Sequence, residues 1–458
     1  MRSFCLALFI TLTLVSVSRG ISTNAKRIFY LTWQTDPTTS ITIHCIAPPD
    51  KGLAEIRYRP LGSDAWLTIP TEKQVLPGSD ELNPESAWII YHAHLKGLEP
   101  GTVYEARSLP GDPFRFKTLD PSASQLRFIV GGDVYKNLDA VEQTCKVAAK
   151  QDPAFVILGG DIVYATGDPA LHTRCIDLMK VWHRTMVDSD GCIIPLMTTI
   201  GNHELRPGPK YDKSRATFYY PMFGYPSDRG YEHVRIGDLV EFLLLDSDHT
   251  NPKVGPQLDW MRNVLDSGNP AMHQIPVYHT PAYPGARRES TGYHMREDWT
   301  PLFDEFNIDI AFEHHDHVYK RTQPIRNERT DPSGTIYLGD GGWGLISSRD
   351  PAPAGDAGVM SNDRWYLVKS AGVNHFVMVD IDGKNVKCTA IEQSGQIIDS
   401  VEYVKGQPKT VATIPYTPVW LRREWHIGLS VVVFSIVWTI YTRRRRARLR
   451  AENVGSSS

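Results

Sequence analysis

Cysteine is scarce, with six residues in 458. Cys5 falls in a leader described below, which leaves Cys45, Cys145, Cys175, Cys192 and Cys388. Five is odd, so a disulfide framework using every thiol is excluded, and at least one cysteine stays free or pairs with another chain. Cys175 and Cys192 bracket a helix-like stretch and are the pair expected to bridge in an oxidising compartment. No Asn-X-Ser/Thr sequon occurs, so glycosylation marks no surface. A basic excess is missing as well. The formal charge is −3, and setting aside Arg2, Arg19, the six arginines at 443–446, 448 and 450, and Glu452 leaves −10 for the remainder. Such an acidic body excludes nucleic acid as its main partner. An anionic substrate would need a local positive charge, which bound metal supplies.

Asp, Glu, Lys and Arg are absent from residues 426–441, HIGLSVVVFSIVWTIY, which aromatic residues flank and TRRRRARLR follows. This predicts a single transmembrane helix with an aromatic belt and a basic cytoplasmic tail over 442–458. Sixteen residues span about 24 Å, slightly less than a ~30 Å bilayer core. A lipid-anchor signal is excluded because its tail would end apolar. At the other end, Arg2, the apolar run from Phe4 to Val17 and the small segment SRG predict a signal peptide over 1–20. The expectation is an exported, single-pass membrane protein whose body lies on the extracytoplasmic side.

Between the ends, about 400 residues exceed one ordinary core, and KTLDPSASQ suggests a boundary near 120. Residues 21–120 contain short strand-like runs (IFYLTWQT, SITIHCIA, EIRYRP, YEARSL) separated by Pro and Gly clusters, which predicts a small β-sandwich. HLKGLEPGTVYEARSLPGDPFRFKTL resembles the closing strands of a fibronectin type III domain. Over 121–405 apolar strands alternate with helices predicted at Leu138 to Lys150, at 169–187 and at QLDWMRNVLDS, which implies an α/β core. Residues 406–425 are polar and Pro-rich and read as a stalk.

Each core strand ends in a possible ligand: Asp133, Asp161, Asn202 with His203, His279, then His315 and His317. The last pair lies in FEHHDHVYKR, where an apolar run ends in a cluster of ionisable groups whose burial is costly unless something binds them. Ligands at the carboxyl ends of strands converge on one sheet edge. His172, His183, His233, His249 and His273 have no partner pattern and read as surface or packing residues.

On these residues the chain resembles the metallophosphoesterase superfamily and, more closely, the purple acid phosphatases, over roughly 27–405. GDxxY is met by Gly160, Asp161 and Tyr164, and GNH[DE] by Gly201, Asn202, His203 and Glu204. GDxG has Tyr135 in place of its last glycine, VxxH has Pro276 in place of valine, and GHxH has His314 in place of glycine. YLGDGG at 337–342 adds to the likeness. The resemblance implies an αββα sandwich preceded by a small β-sandwich. It implies two metal ions, Fe(III) plus Fe(II), Zn(II) or Mn(II). Asp133, Tyr164 and His317 would hold one, Asn202, His279 and His315 the other, and Asp161 would bridge. These donor types suit a hard trivalent and a softer divalent cation. In this family the tyrosinate gives a purple charge-transfer colour.

A dinuclear-metal-activated hydroxide would then hydrolyse phosphate monoesters. His203 is expected to hydrogen-bond phosphate and protonate the departing alcohol. Only His294 follows the VxxH motif at a plausible distance for a second catalytic histidine, with Arg287 and Arg288 before it as phosphate ligands. A phosphodiesterase or pyrophosphohydrolase acting on nucleotides or phospholipid head groups is the alternative. The aromatic and basic loops at 205–230 and 281–298 would distinguish the two. A surface binding protein with a degenerate site is a third reading. Tyr135, His314 and Pro276 favour it, and the presence of all seven ligands opposes it.

Overall fold

The computed structural model describes residues 27–48, 52–79, 87–224, 229–339, 341–345 and 364–416. The expected leader, transmembrane helix and basic tail lie outside these residues. Among the described residues no helix is long and apolar enough to cross a membrane.

The N-terminal part contains β1 (Ile28–Thr32), β2 (Ser40–Ala47), β3 (Glu55–Pro60), β4 (Leu67–Pro70), β5 (Glu72–Val75), β6 (Ile89–Lys96), β7 (Val103–Arg107) and β8 (Phe114–Lys117). Strands β4-β3-β7-β8 form one sheet, and β1-β2-β6-β5 lie side by side in another. The two-residue strand period turns Ile41, Ile43 and Cys45 of β2 and Ala93 and Leu95 of β6 toward Ile56, Tyr104 and Phe116, burying one face of each layer.

The second part contains β9 (Gln125–Gly131), α1 (Leu138–Ala149), β10 (Val156–Gly159), α2 (Thr173–Thr185), β11 (Leu196–Thr199), α3 (Tyr219–Phe223), β12 (Glu232–Ile236), β13 (Val240–Leu244), α4 (Pro256–Leu265) and β14 (His273–Tyr278). It continues through α5 (Tyr293–Asp298), α6 (Thr300–Glu305), β15 (Ile310–Glu313), β16 (Tyr319–Thr322), β17 (Ile325–Arg326), β18 (Arg329–Thr330) and β19 (Ile336–Gly339). Strands β20 (Leu367–Ala371), β21 (His375–Asp382), β22 (Asn385–Glu392) and β23 (Ile397–Val404) complete it.

Two large sheets face each other. One has ten strands in the order β23-β22-β21-β9-β10-β11-β1-β2-β6-β5, the other seven in the order β12-β13-β14-β15-β19-β16-β20. The first therefore runs across the boundary expected near 120: Thr32 of β1 pairs in parallel with Leu196 of β11, so an N-terminal strand extends the α/β sheet. Strands β9, β10 and β11 are parallel, as are β13, β14, β15 and β19. Both faces of these strands are covered, so their sequences read as continuous apolar runs. Between the sheets Phe128 and Phe155 stack at 5.2 Å, and Phe242 meets both edge-on at 5.1 and 5.6 Å. Helices α1 and α2 cover the outer face of the first sheet through Val141, Cys145, Leu178 and Trp182. Helix α4 and the α5–α6 pair cover the second through Met261, Trp299 and Phe303. The layers are αββα. Asn137 caps α1, its side chain accepting from the amides of Asp139 and Ala140.

The Cys175–Cys192 bridge is not formed. All five described cysteines are buried thiols, and burial pushes those of Cys145 and Cys192 up to about 12. Cys175 sits in the first turn of the 13-residue α2, whereas Cys192 folds back beside Asp188 just past its end, where the Asp188 amide donates to the Cys192 carbonyl and the Cys192 amide donates to Asp188 Oδ1. About 15 Å of helix lies between Cys175 and the end of α2 near Cys192, well beyond the ~6 Å between Cα atoms that a disulfide spans.

The segment after β23 does not run free at once. Lys409 pairs with Asp309 at 2.7 Å, Arg321 donates to the carbonyl of Ala412 at 2.6 Å, and Tyr416 donates to Glu392 at 2.8 Å. Residues 417–425 of the expected stalk lie outside the described residues.

Candidate metal centre

Parallel pairing brings the carboxyl ends of β9, β10 and β11 together, opposite those of β14 and β15. Asp133 follows β9, Asp161 follows β10, Asn202 follows β11, His279 follows β14, and His315 and His317 follow β15. Two donor groups result: Asp161, His279 and His315 in one, Asp133, Asp161 and His317 in the other, each with its ligand atoms within 4.8 Å of one another. Asp161 belongs to both.

Asn202 and Tyr164 complete the groups. Asn202 Oδ1 lies 3.2 Å from His279 Nε2, which is 3.1 Å from His315 Nδ1 and 3.3 Å from Asp161 Oδ2. On the other side, Tyr164 Oη is 2.7 Å from Asp133 Oδ1 and 3.2 Å from His317 Nε2, itself 3.0 Å from Asp133. Two donors at right angles around a cation ~2.1 Å away would stand about 3 Å apart, so these separations suit shared ligation. Asp161 Oδ2 is buried and accepts no hydrogen bond, the state of an oxygen kept for a cation.

The backbone is bent to this purpose. Asp133, Asp161, Tyr164, His315 and His317 all have positive φ, between 52° and 72°. Side chains seldom adopt this region, at about 1–3 kcal/mol each, and such residues cluster at functional sites. Glu204 holds the turn by accepting from the amides of Asp161, Ile162 and Gly201 at 2.7–2.8 Å. Gly201 is required by close approach, because a Cβ there would stand 2.3 Å from Asp161 Oδ1. His279 Nδ1–H donates to the carbonyl of Gly159 at 2.9 Å, which leaves Nε2 as the ligating nitrogen.

Proton affinities reflect the crowding of charge. Burial opposes ionisation of Asp133, but the hydrogen bond and charge of His317, with His279 and His315 beyond, hold its carboxyl well below the usual range. Burial lowers His279, yet the charge of Asp161 outweighs it and raises the imidazole to about 9. Burial and the charge of Asp161 raise Glu204 to about 7. Burial, then the charges of Asp133 and Asp161, push the Tyr164 phenol far up. A strongly charged cation is what such a phenol needs in order to ionise.

His203 lies beside the pair. Its amide donates to Asp161 Oδ1 at 2.6 Å, its ring stacks on Tyr164 at 4.5 Å, and its Nδ1 is buried without a partner. His314 is excluded from the ligand set: its Nδ1–H donates to the carbonyl of Tyr278 at 2.8 Å, and its ring fills the space over Gly132 and Gly159. Arg287 reaches the edge of the site, donating from Nε to the carbonyl of His315 at 3.0 Å and lying 3.8 Å from Asp316. Arg288 is exposed.

The expected placement of His294 does not hold. It lies on the short helix α5 with its side chain 70% exposed, 3.6 Å from Glu297. An imidazole that the sequence reading set aside is present instead. His249, half-buried, has its ring 5.6 Å from that of His279 and its Nε2 3.2 Å from Ser247 Oγ. The available signal was VEFLLLDSDH, one more apolar strand ending in polar groups.

Residues 126–319 match the family model described as calcineurin-like phosphoesterase, and over that stretch the chain carries a domain of this family. Over a longer stretch, the chain is similar to purple acid phosphatases. Purple acid phosphatase 21 of Arabidopsis thaliana is 29% identical over 266 residues, 55% of this chain and 58% of that protein. Purple acid phosphatase 15 of the same plant is 26% identical over 314 residues, 59% of this chain and 56% of that protein. The chain thus spans a little over half the length of these relatives. Among solved structures, purple acid phosphatase PPD1 from yellow lupin (Lupinus luteus) seeds superposes with a TM-score of 0.66 at 19% identity, covering 86% of this chain and 77% of that one. PhoD gives 0.60 at 13%, covering 86% and 92%. At such identities the likeness shows the fold.

Proposed function

We propose that the protein is a metal-dependent phosphatase that hydrolyses phosphate monoesters, anchored in a membrane through residues 426–441 with its catalytic domain on the extracytoplasmic side. The observation that carries the chemistry is Asp161, a buried carboxylate common to two donor groups, which supports a pair of cations sharing one bridge. Asp133, Tyr164 and His317 would hold Fe(III), and Asn202, His279 and His315 a divalent Fe, Zn or Mn. When bound, such a pair supplies Lewis acidity to the phosphoryl oxygens and to the attacking water.

The chain's own residues do the rest. Glu204 fixes the Asp161 and Asn202 turns through three amides, so the ligands need not reorganise on binding. His203, stacked on Tyr164, donates a hydrogen bond to phosphate and gives a proton to the leaving oxygen. Burial lowers the proton affinity of its imidazole, and a bound phosphate dianion acts in the opposite sense. His249 takes the place of the second imidazole expected at His294. Arg287 is engaged by the His315 carbonyl and Asp316, which suits a role in holding that loop more than a bidentate grip on substrate.

The loop tyrosines support a small monoester over a nucleotide. Tyr211 donates to Asp248 at 2.8 Å, Tyr220 is 2.7 Å from Thr250 Oγ1, and Tyr219 is buried beside Thr198, so these rings are committed to packing. Tyr225 lies outside the described residues. The test is the initial rate of phosphate release from matched aryl monoester and diester substrates by the purified full-length protein between mildly acidic and neutral pH. Monoester preference is expected. Diester preference would move the function to nucleotide or lipid cleavage with the same ligands, and inactivity on both with metal bound would make the protein a binding module.

A further inference from the structure

A second cluster of imidazoles lies on the same ten-stranded sheet, three strands beyond β11 and so about 14 Å from it at ~4.8 Å per strand. Strand β6 carries His92 and His94 with one residue between, so both project from one face. His44 on β2 stands directly opposite His92, and Glu72 on β5 stands opposite it on the other side. The row Glu72, His92, His44 faces a cleft of about 590 Å³ that His94 also lines. His44 Nδ1 and His92 Nδ1 are 2.8 Å apart, and the His92 and His94 rings lie nearly parallel, 6.1 Å between centroids.

The surrounding hydrogen bonds fix which nitrogens are free to bind. Gln34 Nε2 donates to the carbonyl of Gly224 at 2.6 Å, which turns Gln34 Oε1 toward Thr42. The Thr42 hydroxyl donates to that oxygen at 3.4 Å. Thr42 Oγ1 must then accept from His94 Nδ1, 3.1 Å away, so Nδ1 carries the proton and the lone pair of His94 is on Nε2. His44 is oriented in the same manner, with Nε2 2.7 Å from Thr32 Oγ1 and its ring stacked on Tyr30 at 4.6 Å. Thr32 thus holds His44 at Nε2 and Thr42 holds His94 at Nδ1, as metal-binding histidines are held, while the Nδ1 atoms of His44 and His92 face each other at 2.8 Å, about the separation of two donors to one cation. A set of imidazoles satisfied among themselves would leave no lone pair turned away from protein donors, and His94 does not meet that condition.

We propose that His44, His92 and His94, with Glu72 as the available carboxylate, form a site for one divalent transition-metal ion that favours nitrogen ligands, Zn(II) or Cu(II), separate from the phosphatase centre. Two histidines alternating on one strand and a third from the neighbouring strand give three nitrogen ligands from rigid elements, and a carboxylate or water can fill the fourth position. Burial supports the assignment. It keeps His44 well below the usual imidazole range, with His92 lowered to about 4, so both rings are neutral and able to ligate. At the resting positions only the His44 and His92 nitrogens are in contact, and the ion would draw in His94 by side-chain rotation, with Glu72 or water left for the fourth position.

The purified full-length protein, saturated at its phosphatase centre, is titrated with Zn(II), dialysed and its metal counted. One further equivalent is expected to remain. His92→Asn and His94→Asn should each lose it while keeping the metal of the phosphatase centre, and Thr42→Val, which removes only the orienting hydroxyl, should weaken it about 10-fold. The wild type provides a test that no misfolded variant can obscure: Cu(II) added as the extra equivalent should show splitting from at least two imidazole nitrogens in its electron paramagnetic resonance spectrum. The proposal is overturned if the wild type retains no further equivalent, if folded His92→Asn and His94→Asn proteins both retain it, or if the bound Cu(II) shows no nitrogen splitting.

Discussion

Gly159 ends β10 against the ring of His314, the histidine that stands where the family motif has glycine. A Cβ at Gly159 would lie 1.9, 2.0 and 2.3 Å from Cε1, Nδ1 and Nε2 of that ring, where ordinary contact begins at 3.4 Å. The ring cannot retreat, because a Cβ at Gly132 would already lie 2.5 Å from its Cδ2 and its Nδ1–H is bound to the carbonyl of Tyr278. Gly159→Ala should therefore destabilise by about 3 kcal/mol, the upper part of the overpacking range. His314→Gly removes a buried ring and its hydrogen bond and should cost about 2–4 kcal/mol. In the double variant the new methyl enters the vacated space, so the clash is gone and the combined loss should fall about 2–3 kcal/mol short of the sum. Denaturant midpoints of the four proteins with chelator present give the cycle. Metal retention offers a second reading, since Gly159 O accepts from His279 Nδ1: Gly159→Ala should weaken binding about 10-fold or more, and His314→Gly in the same chain should recover part of it. Additivity within about 0.5 kcal/mol would refute the idea that the histidine and the glycine occupy one space.

Asp161→Asn should lose both metals by elemental analysis and cut turnover by more than about 10³-fold, because one carboxylate serves both donor groups; retention of two metals would remove the bridge assignment. His203→Ala should keep its metal yet slow esters with poor leaving groups by about 10²–10⁴-fold, and equal slowing of good and poor leaving groups would count against proton donation. Burial raises the proton affinity of Asp309, but Lys405 and Lys409 outweigh it and hold its carboxyl below the ordinary range. A depressed folded value contributes stability above the unfolded value near pH 4 and loses it as pH falls through the folded value. The stability gap between wild type and a Lys405→Met, Lys409→Met variant should accordingly be widest near neutrality and close below about pH 4; unfolding midpoints between pH 7 and 3 that keep a constant gap would show that the pairs do not act through Asp309.

The strands that carry ligands were legible because parallel strands covered on both faces are apolar throughout, and each one stops where its ligand begins. The strand β16, YKRT, was not. All four of its residues are buried, yet three are polar or charged, and their partners Glu313 and Asp399 are supplied by other strands. Exposed β5, EKQV, shows no apolar alternation, and β4, LTIP, is too short and exposed for its alternation to stand out. The join between the N-terminal strands and the α/β sheet rests on a single residue pair, Thr32 with Leu196, which no local pattern marks. His249 reaches the centre by lying beside His279 in the adjoining parallel strand connection, a neighbour in space thirty positions away in sequence.

The charged stretch FEHHDHVYKR divides its work between binding and support. Only His315 and His317 face the centre. Glu313 accepts from Tyr278 Oη at 2.6 Å and the amide of Ala282 at 2.7 Å and pairs with buried Lys320, which also donates to the carbonyl of Tyr283. Asp316 accepts from the amides of Gly285 and Arg287, and Arg321 joins Asp399 at 2.7 Å. The charges flanking the two ligands thus clamp the loop 282–287 to the end of β15. Breaking a buried pair such as Glu313–Lys320 leaves an uncompensated charge at about 3–5 kcal/mol. That exceeds the ~1–3 kcal/mol of strain in each positive-φ histidine, so the clamp is strong enough to hold His315 at φ 72° and His317 at φ 61°. The ligands can be strained because their neighbours are not free to let them relax.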